Sequence, residues 1–346
     1  MTVHAATKSG FVRTSAEVAD ALASGSPVVA LETAAVTHGL PREPLASMPA
    51  YLSDETTPAP IRACFGASTP VHLALGLALA AAARAEGAVP AVVGMLRGQL
   101  VIGLTTAELE EIAHARDVHK VSARDAALVA ARGGTGGTTV AGTLLACRLA
   151  SPTPIRVFAT GGIGGVHRGY AERPDISADL IAIRDTGTMV ITAGAKSILD
   201  LPATVEMLDT LGVPLLGLGT PYFPRFLSAG NAELLVNAEV SDERHAAAVF
   251  AAHQAFHPDR GALLCVPPLA KHALPAEMME RAIADGLAEC AKTGAHGPEV
   301  TPVLLSAVAR ATKGASLATN LAVLIHNARV GARVASALAS QMRDAN

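Results

Sequence analysis

Six lysines are present in this chain, Lys8, Lys120, Lys196, Lys271, Lys292 and Lys313. Lys196 closes the mostly apolar run 188–195, which puts it at or just beyond the C-terminal end of an expected buried strand, the edge where open α/β sheets bind ligands. A solvated lysine, with a pKa of ~10.4, is a poor nucleophile at neutral pH. Desolvation at that edge would lower it and leave a free amine able to attack an aldehyde. A lysine that snorkels from a strand end or caps a helix fits the position equally well. Glu32 ends the run 28–31, with His38 just beyond. A carboxylate closing a buried strand is a candidate acid/base, because desolvation raises its pKa toward neutrality; a turn glutamate at the surface is the plainer alternative. Lys120 closes a short β-like piece before Ser122, as a phosphate partner or simply as an exposed lysine.

Two further segments carry polar chemistry. Residues 159–169 hold Thr160, then Gly161, Gly162, Gly164 and Gly165, then His167 and Arg168. Glycines directly after a β-run let a backbone approach a ligand and offer amides to an anion. The spacing is neither a dinucleotide fingerprint nor a Walker loop, so a surface turn is the alternative. Asp175, Ser177 and Asp179 place oxygens at alternate positions around Ile176 and Ala178. Such a set suits a hard divalent ion or sugar hydroxyls, and it equally suits the N-terminus of a helix.

The elements that must position these residues follow the layered α/β pattern, short β-branched runs alternating with Ala-rich helical stretches. Strands are expected at 27–31, 90–95, 100–103, 155–159, 189–193, 214–218, 233–236 and 263–266. Helices are expected at 71–86, 106–116, 139–149, 202–211, 242–256, 275–292, 302–312 and 317–341. Thr105 and Thr106 before Glu108, and Ser241 before Glu243, are helix-start chemistry. Segment 44–70, with five of the 21 prolines, resists assignment and reads as an inserted loop or lid near the site. Nothing marks a domain boundary, so one domain spanning 1–346 is expected.

Composition narrows the classes. The chain is 50% hydrophobic and only 16% charged, with 3% aromatics and no Trp, so its core must be built from Ala, Val, Leu and Ile. A net charge of −3 gives no basic field for nucleic acid. Cys64, Cys147, Cys265 and Cys290 lie far apart without a C-x-x-C, which reads as reduced thiols of a cytoplasmic protein. No signal-peptide h-region or membrane-length apolar run is visible.

Taken together, these segments resemble the pseudouridine-5′-phosphate glycosidase family, including related C-glycosynthases. The matching pieces are 28–32 with 38–41, 87–91, 101–105, 120–122 with Arg124 and Asp125, 137–141, 157–179, 193–200, 299–302 and 316–320, in the family's order over most of the chain. The resemblance implies a three-layer α/β/α sandwich assembled as a homotrimer. It implies that Lys196 attacks C1 of the ribose to form an imine with the ring-opened sugar, while Glu32 moves the proton on the nucleobase carbon. It implies Asp175 as ligand of Mn²⁺ (or another divalent cation). Thr160, Ser177, Ala178 and Asp179 would lie around substrate and metal waters, Lys120 would face the phosphate, and Val140, His167 and Asn320 would line the pocket, Asn320 against the polar edges of the base. No oxygen leaving group exists in a C–C glycosidic bond, so an iminium at C1 is a chemically sensible electron sink. Departures are Thr33-Ala34 where Ser-Thr is usual, Val266 for an Asn, Pro298 for a Lys and Pro221 for an Asp. The sugar half is therefore expected to be unchanged, and the acceptor need not be uracil. The alternatives are a C-glycosynthase of secondary metabolism using another carbon nucleophile, and an inactive sugar-phosphate binding protein.

Overall fold

The computed structural model describes residues 10–172, 174–293 and 300–344. The expected matches and departures at 297–299 lie outside the described residues. Strands β1 (Val12–Thr14), β2 (Val28–Leu31), β3 (Val89–Leu96), β4 (Gln99–Ile102), β5 (Val118–Val121), β6 (Thr135–Thr138), β7 (Val157–Ala159), β8 (Met189–Thr192), β9 (Leu215–Leu218), β10 (Ala238–Val240) and β11 (Ala262–Cys265) join one sheet. Its order is β1-β4-β3-β2-β7-β8-β11-β9-β10, with β6 on β3 and β5 on β6. Pairing is parallel except where β3 meets β4 and β6.

Helices α1 (Ala16–Ala23), α2 (Ala50–Ser53), α3 (Ala59–Ala63), α4 (Val71–Ala85), α5 (Thr106–His114), α6 (Ala126–Ala131), α7 (Val140–Leu149), α8 (Ala178–Arg184), α9 (Leu201–Thr210), α10 (Glu243–Phe256), α11 (Ala276–Thr293), α12 (Val300–Ala311) and α13 (Ala315–Asp344) surround it. Strand alternation divides them into two layers. Val29 and Leu31 of β2 belong to the core that α4, α10 and α13 build on one face, whereas Val28 and Ala30 belong to the core that α1, α7, α8, α9, α11 and α12 build on the other. The result is the expected α/β/α sandwich.

A split in the sheet shapes the site. Strand β2 pairs with β3 only through Val92, and β6 takes over at Gly94–Met95. Two buried threonines stitch the gap. Thr33 and Thr138 both donate their hydroxyls to the Val93 carbonyl, at 2.6 and 2.9 Å, and Thr138 N donates to Thr33 Oγ1 at 3.1 Å. Ligand crevices form where neighbouring strands diverge in this way. Strand β6 is invisible to hydrophobic patterning because Gly136 and Gly137 occupy it. A Cβ on Gly137 would stand 2.2 Å from Thr37 Oγ1, so close packing demands glycine despite its low β-propensity.

Two expectations need correction. Residues 233–236 form a turn, with Leu235 making only an isolated bridge to Tyr222, and the strand falls instead at Ala238–Val240. Helix α10 is capped by Asp242, whose Oδ1 accepts from His245 N at 2.8 Å, rather than by Ser241. The 44–70 segment is a closed, packed loop. Pro44 bridges Pro70, Val71 N donates to the Glu43 carbonyl at 3.0 Å, and Tyr51, Leu52, Ile61 and Phe65 are buried in the α4–α13 layer.

Candidate active site

Parallel pairing of Leu31 with Ala159 sets the next residues, Glu32 and Thr160, side by side at the carboxyl ends of β2 and β7. Thr160 Oγ1 donates to Glu32 Oε1 at 2.5 Å. Glu32 keeps some exposure to solvent, yet enough protein encloses its carboxyl for burial to push the pKa up. The Lys196 charge is the main opposing influence, followed by the Thr160 hydrogen bond; Asp179 pushes up and Lys120 pulls down. A carboxyl so placed keeps its proton to higher pH than an ordinary glutamate does, as an acid/base group needs.

Lys196 sits in a loop zipped to the glycine segment. Ala193 N donates to the Gly161 carbonyl at 2.8 Å, Ile163 N to Gly194 at 3.0 Å and Lys196 N to Ile163 at 3.0 Å. These bonds continue the β7–β8 ladder past both strand ends and fix the Lys196 backbone. Gly194 has φ +83, and a Cβ there would lie 2.0 Å from the Pro224 carbonyl. Phe226, itself at φ 63, donates its N–H to Ala193 at 2.8 Å. The glycine density is largely a packing requirement: a Cβ on Gly162 would stand 2.6 Å from the Phe226 ring, and one on Gly164 would stand 2.3 Å from Ser177 Oγ.

The alternate-oxygen segment divides its duties. Ser177 caps α8, its Oγ accepting from Asp179 N at 3.2 Å, and Ala178 opens that helix. Asp179 is buried, and its two oxygens accept from Ala141 N at 3.0 Å and Gly164 N at 2.9 Å. It therefore ties the first turn of α7 to the glycine segment, a second role that the spacing does not reveal. Asp175 is exposed, with His167 Nδ1 3.9 Å from its Oδ2. Among the described residues no three His, Cys, Asp or Glu side chains converge on a metal position. A lone exposed carboxylate does fit a hydrated Mg²⁺- or Mn²⁺-like ion completed by waters and substrate.

Lys120 lies on β5 opposite Gly137. Although exposed overall, its ammonium is pushed down in pKa by partial burial and by Lys196, against the pull of Asp179 and Glu32. Val140 is the first residue of α7, and its side chain is buried in the core, so only its backbone can face a ligand. Lys196, Lys120, Glu32 and Asp179 thus act on one another electrostatically, and Thr160 and Val140 adjoin them. No hydrogen bond or ion pair among the described residues links Asp175 or His167 to Lys196 or Glu32.

Sequence reasoning misses Asn327. It is buried on α13, and its Nδ2 donates to the Thr160 carbonyl at 2.7 Å and to Gly161 at 3.4 Å. Asn320 lies two turns earlier on the same helix. Thr33, one of the departures from the family pattern, uses its hydroxyl to hold the sheet split together. Nothing in local spacing signals Asn327; only the amphipathic stripe of α13 hints that an inward polar residue must have a partner.

A parallel-dominated sandwich that gathers an enclosed carboxylate and a lysine beyond its strand ends, with a second lysine on β5 beside them, is enzyme architecture, and known proteins agree. The family model described as "Indigoidine synthase A like protein" matches residues 63–337, and the chain belongs to that family. Its relatives include the pseudouridine-5′-phosphate glycosidase of Herpetosiphon aurantiacus, 44% identical over 93% of this chain and 96% of that one. The enzyme of the same name from Chloroflexus aurantiacus is 43% identical over 94% and 97%. Among solved structures, the prealnumycin C-glycosynthase AlnA in complex with ribulose 5-phosphate superposes with a TM-score of 0.81 at 34% identity, covering 97% of this chain and 99% of that one. An indigoidine synthase A-like protein from Thermotoga maritima gives a TM-score of 0.75 at 29% identity, covering 95% and 97%. No helix among the described residues is long and apolar enough to cross a membrane.

Proposed function

We propose that this protein cleaves or forms the C–C glycosidic bond between ribose 5-phosphate and a nucleobase, uracil first among them, through an imine on Lys196. The observation that carries the reading is geometric: Glu32, held by Thr160 at the ends of β2 and β7, shares the carboxyl edge of the sheet with Lys196, whose backbone is fixed by the extended β7–β8 ladder. In the cleavage direction the Lys196 amine adds to C1 of the ribose as the ring oxygen leaves and takes a proton. Glu32, protonated, gives its proton to the base carbon. The C1–base bond then breaks while the lysine nitrogen lone pair forms the iminium, and water releases ribose 5-phosphate and the free amine. Synthesis is the reverse, with Glu32 as base. Thr160 orients Glu32, and Asp179 holds the α7 N-terminus at Val140 beside the glycine segment. Lys120 is assigned to the phosphate, Asn320 to the base, and His167, Ser177 and Ala178 to the pocket rim. Asp175 would hold Mn²⁺ or a similar ion, which would organise polar groups of the open-chain sugar. The same reading carries assembly as a homotrimer and a cytoplasmic setting.

A second reading is a C-glycosynthase with a non-uracil acceptor, favoured by the likeness to prealnumycin C-glycosynthase. Incubation with ribose 5-phosphate, Mn²⁺ and uracil separates the two: pseudouridine 5′-phosphate supports the first, and its absence together with a trapped imine supports the second. Borohydride reduction with ribose 5-phosphate should leave a mass adduct on Lys196. Absence of that adduct would sink both readings in favour of a sugar-phosphate binding protein.

A further inference from the structure

Helix α13 aims one stripe at the site. Gly331 lies within 3.1–3.5 Å, by its would-be Cβ, of Ala159, Val29 and Ile191 on three neighbouring strands. Asn327 bonds the Thr160 carbonyl at the end of β7. Leu324 abuts Gly161, 3.0 Å from the position of a Cβ there. Residues spaced by three or four share a helix face, so Asn320 continues this stripe one turn past Leu324. Because the stripe runs off the carboxyl ends of the strands, Asn320 stands beyond them, on the side of the sheet edge that holds Glu32 and Thr160.

The start of α13 is held from outside. Thr319 Oγ1 donates to the His272 carbonyl at 2.8 Å, which fixes the loop after β11 to the helix turn carrying Asn320. That loop is gripped in turn by the 44–70 segment. The Tyr51 ring meets His272 edge-on, with centroids 5.5 Å apart and planes at 88°, and Asp54 forms an ion pair with Lys271. Tyr51 is only 5% exposed and its carbonyl accepts from the buried Thr57 hydroxyl at 2.7 Å, so the grip comes from a packed element.

We infer that the 44–70 segment, through Tyr51 and Asp54 acting on the loop at 271–272, sets the position of Asn320 and thereby the affinity for the carbon acceptor. Tyr51 and Asp54 are positioning residues, not catalytic ones, and the inference rests on the function proposed above. It separates the acceptor half of the site, held by α13 and the insertion, from the sugar half, held by the β7–β8 ladder and Lys196. A loosened grip should therefore be felt in one substrate and not in the other.

The test is steady-state synthesis kinetics on the full chain with ribose 5-phosphate and uracil as probes, alongside borohydride trapping with ribose 5-phosphate alone. Tyr51→Leu is expected to raise KM for uracil about 5–10-fold, the scale of a single aromatic contact, and Asp54→Ala about 3–4-fold, the upper scale of an exposed ion pair. KM for ribose 5-phosphate and the trapped fraction should stay within about twofold. Tyr51→Phe keeps the ring, and the exchange Asp54→Lys with Lys271→Asp keeps the pair, so both should restore wild-type KM for uracil. Unchanged KM for uracil in both single variants overturns the inference, as does an equal rise in both KM values, the mark of general loosening. If wild type itself traps no imine, the proposed function is what fails, and the inference falls with it.

Discussion

Thr160 gives its hydroxyl to Glu32 at 2.5 Å while Asn327 holds the Thr160 carbonyl at 2.7 Å. The carboxyl is thereby oriented from β7 and, one bond further, from α13. Its pKa is set by opposing influences: burial raises it, and Lys196 and the Thr160 hydroxyl lower it.

Thr160→Val removes one of the two main lowering influences, so the Glu32 pKa should rise further. In the cleavage direction the protonated form is required, and the falling limb of the kcat profile should move to higher pH. At the optimum, the poorer orientation of the carboxyl should cost about tenfold in kcat, equivalent to ~1.4 kcal/mol. A pH profile superposable on wild type would remove Thr160 from the proton path.

Glu32→Gln should lower kcat by about 10²–10⁴-fold while leaving borohydride trapping on Lys196 intact. The same variant carries a stability signature. Because the folded pKa is raised, the folded and unfolded chains are both neutral at Glu32 below the ordinary glutamate value of ~4.3. As pH rises through that value the unfolded chain ionises first, so wild type loses stability until the folded value is passed. The glutamine variant escapes this loss. Thermal unfolding should show equal Tm at low pH and a higher Tm for Glu32→Gln at pH well above ~4.3; a lower Tm there would contradict the burial of this carboxyl.

Gly194→Ala combines a left-handed φ of +83 with a Cβ 2.0 Å from the Pro224 carbonyl. The conformational cost alone is about 1–2 kcal/mol, and relief of the clash must move Phe226 and the ladder that fixes Lys196. Trapping yield should fall at least tenfold, roughly the effect of a misplaced nucleophile. Gly212, at φ +67 with open space around it, is the control. Gly212→Ala should cost stability and leave trapping unchanged. Equal behaviour of the two variants would mean the zipped loop does not position Lys196.

Chelation with EDTA should lower turnover, and added Mn²⁺ should restore it. Asp175→Asn should raise the Mn²⁺ concentration for half-maximal rate by roughly tenfold or more, since a neutral amide is a weaker ligand than a carboxylate. Undiminished activity of thoroughly chelated wild type would dismiss the metal.

Local pattern suffices for much of this. Helices α4, α5, α7, α10, α11 and α13 are legible because their apolar periodicity and caps, such as the Thr105–Glu108 capping box, depend on residues within a turn of each other. Lys196 and Glu32 are legible because each closes a short apolar run. Strand β6 is not legible, because its glycines answer to Thr37, His119 and Val121 across the fold.

By itself, then, the order of residues determined the layered α/β class, the main helices, and which polar groups stand at strand ends. Those properties arise from side chains near one another along the chain. Only the tertiary structure decided that Asp179 ties two amides, that Thr33 closes a sheet split, and that Asn327, 167 residues from Thr160, holds its carbonyl. Hydrogen-bond partners so far apart in sequence meet only when packing removes both from water, and a buried polar group must then find whichever partner the fold brings to it.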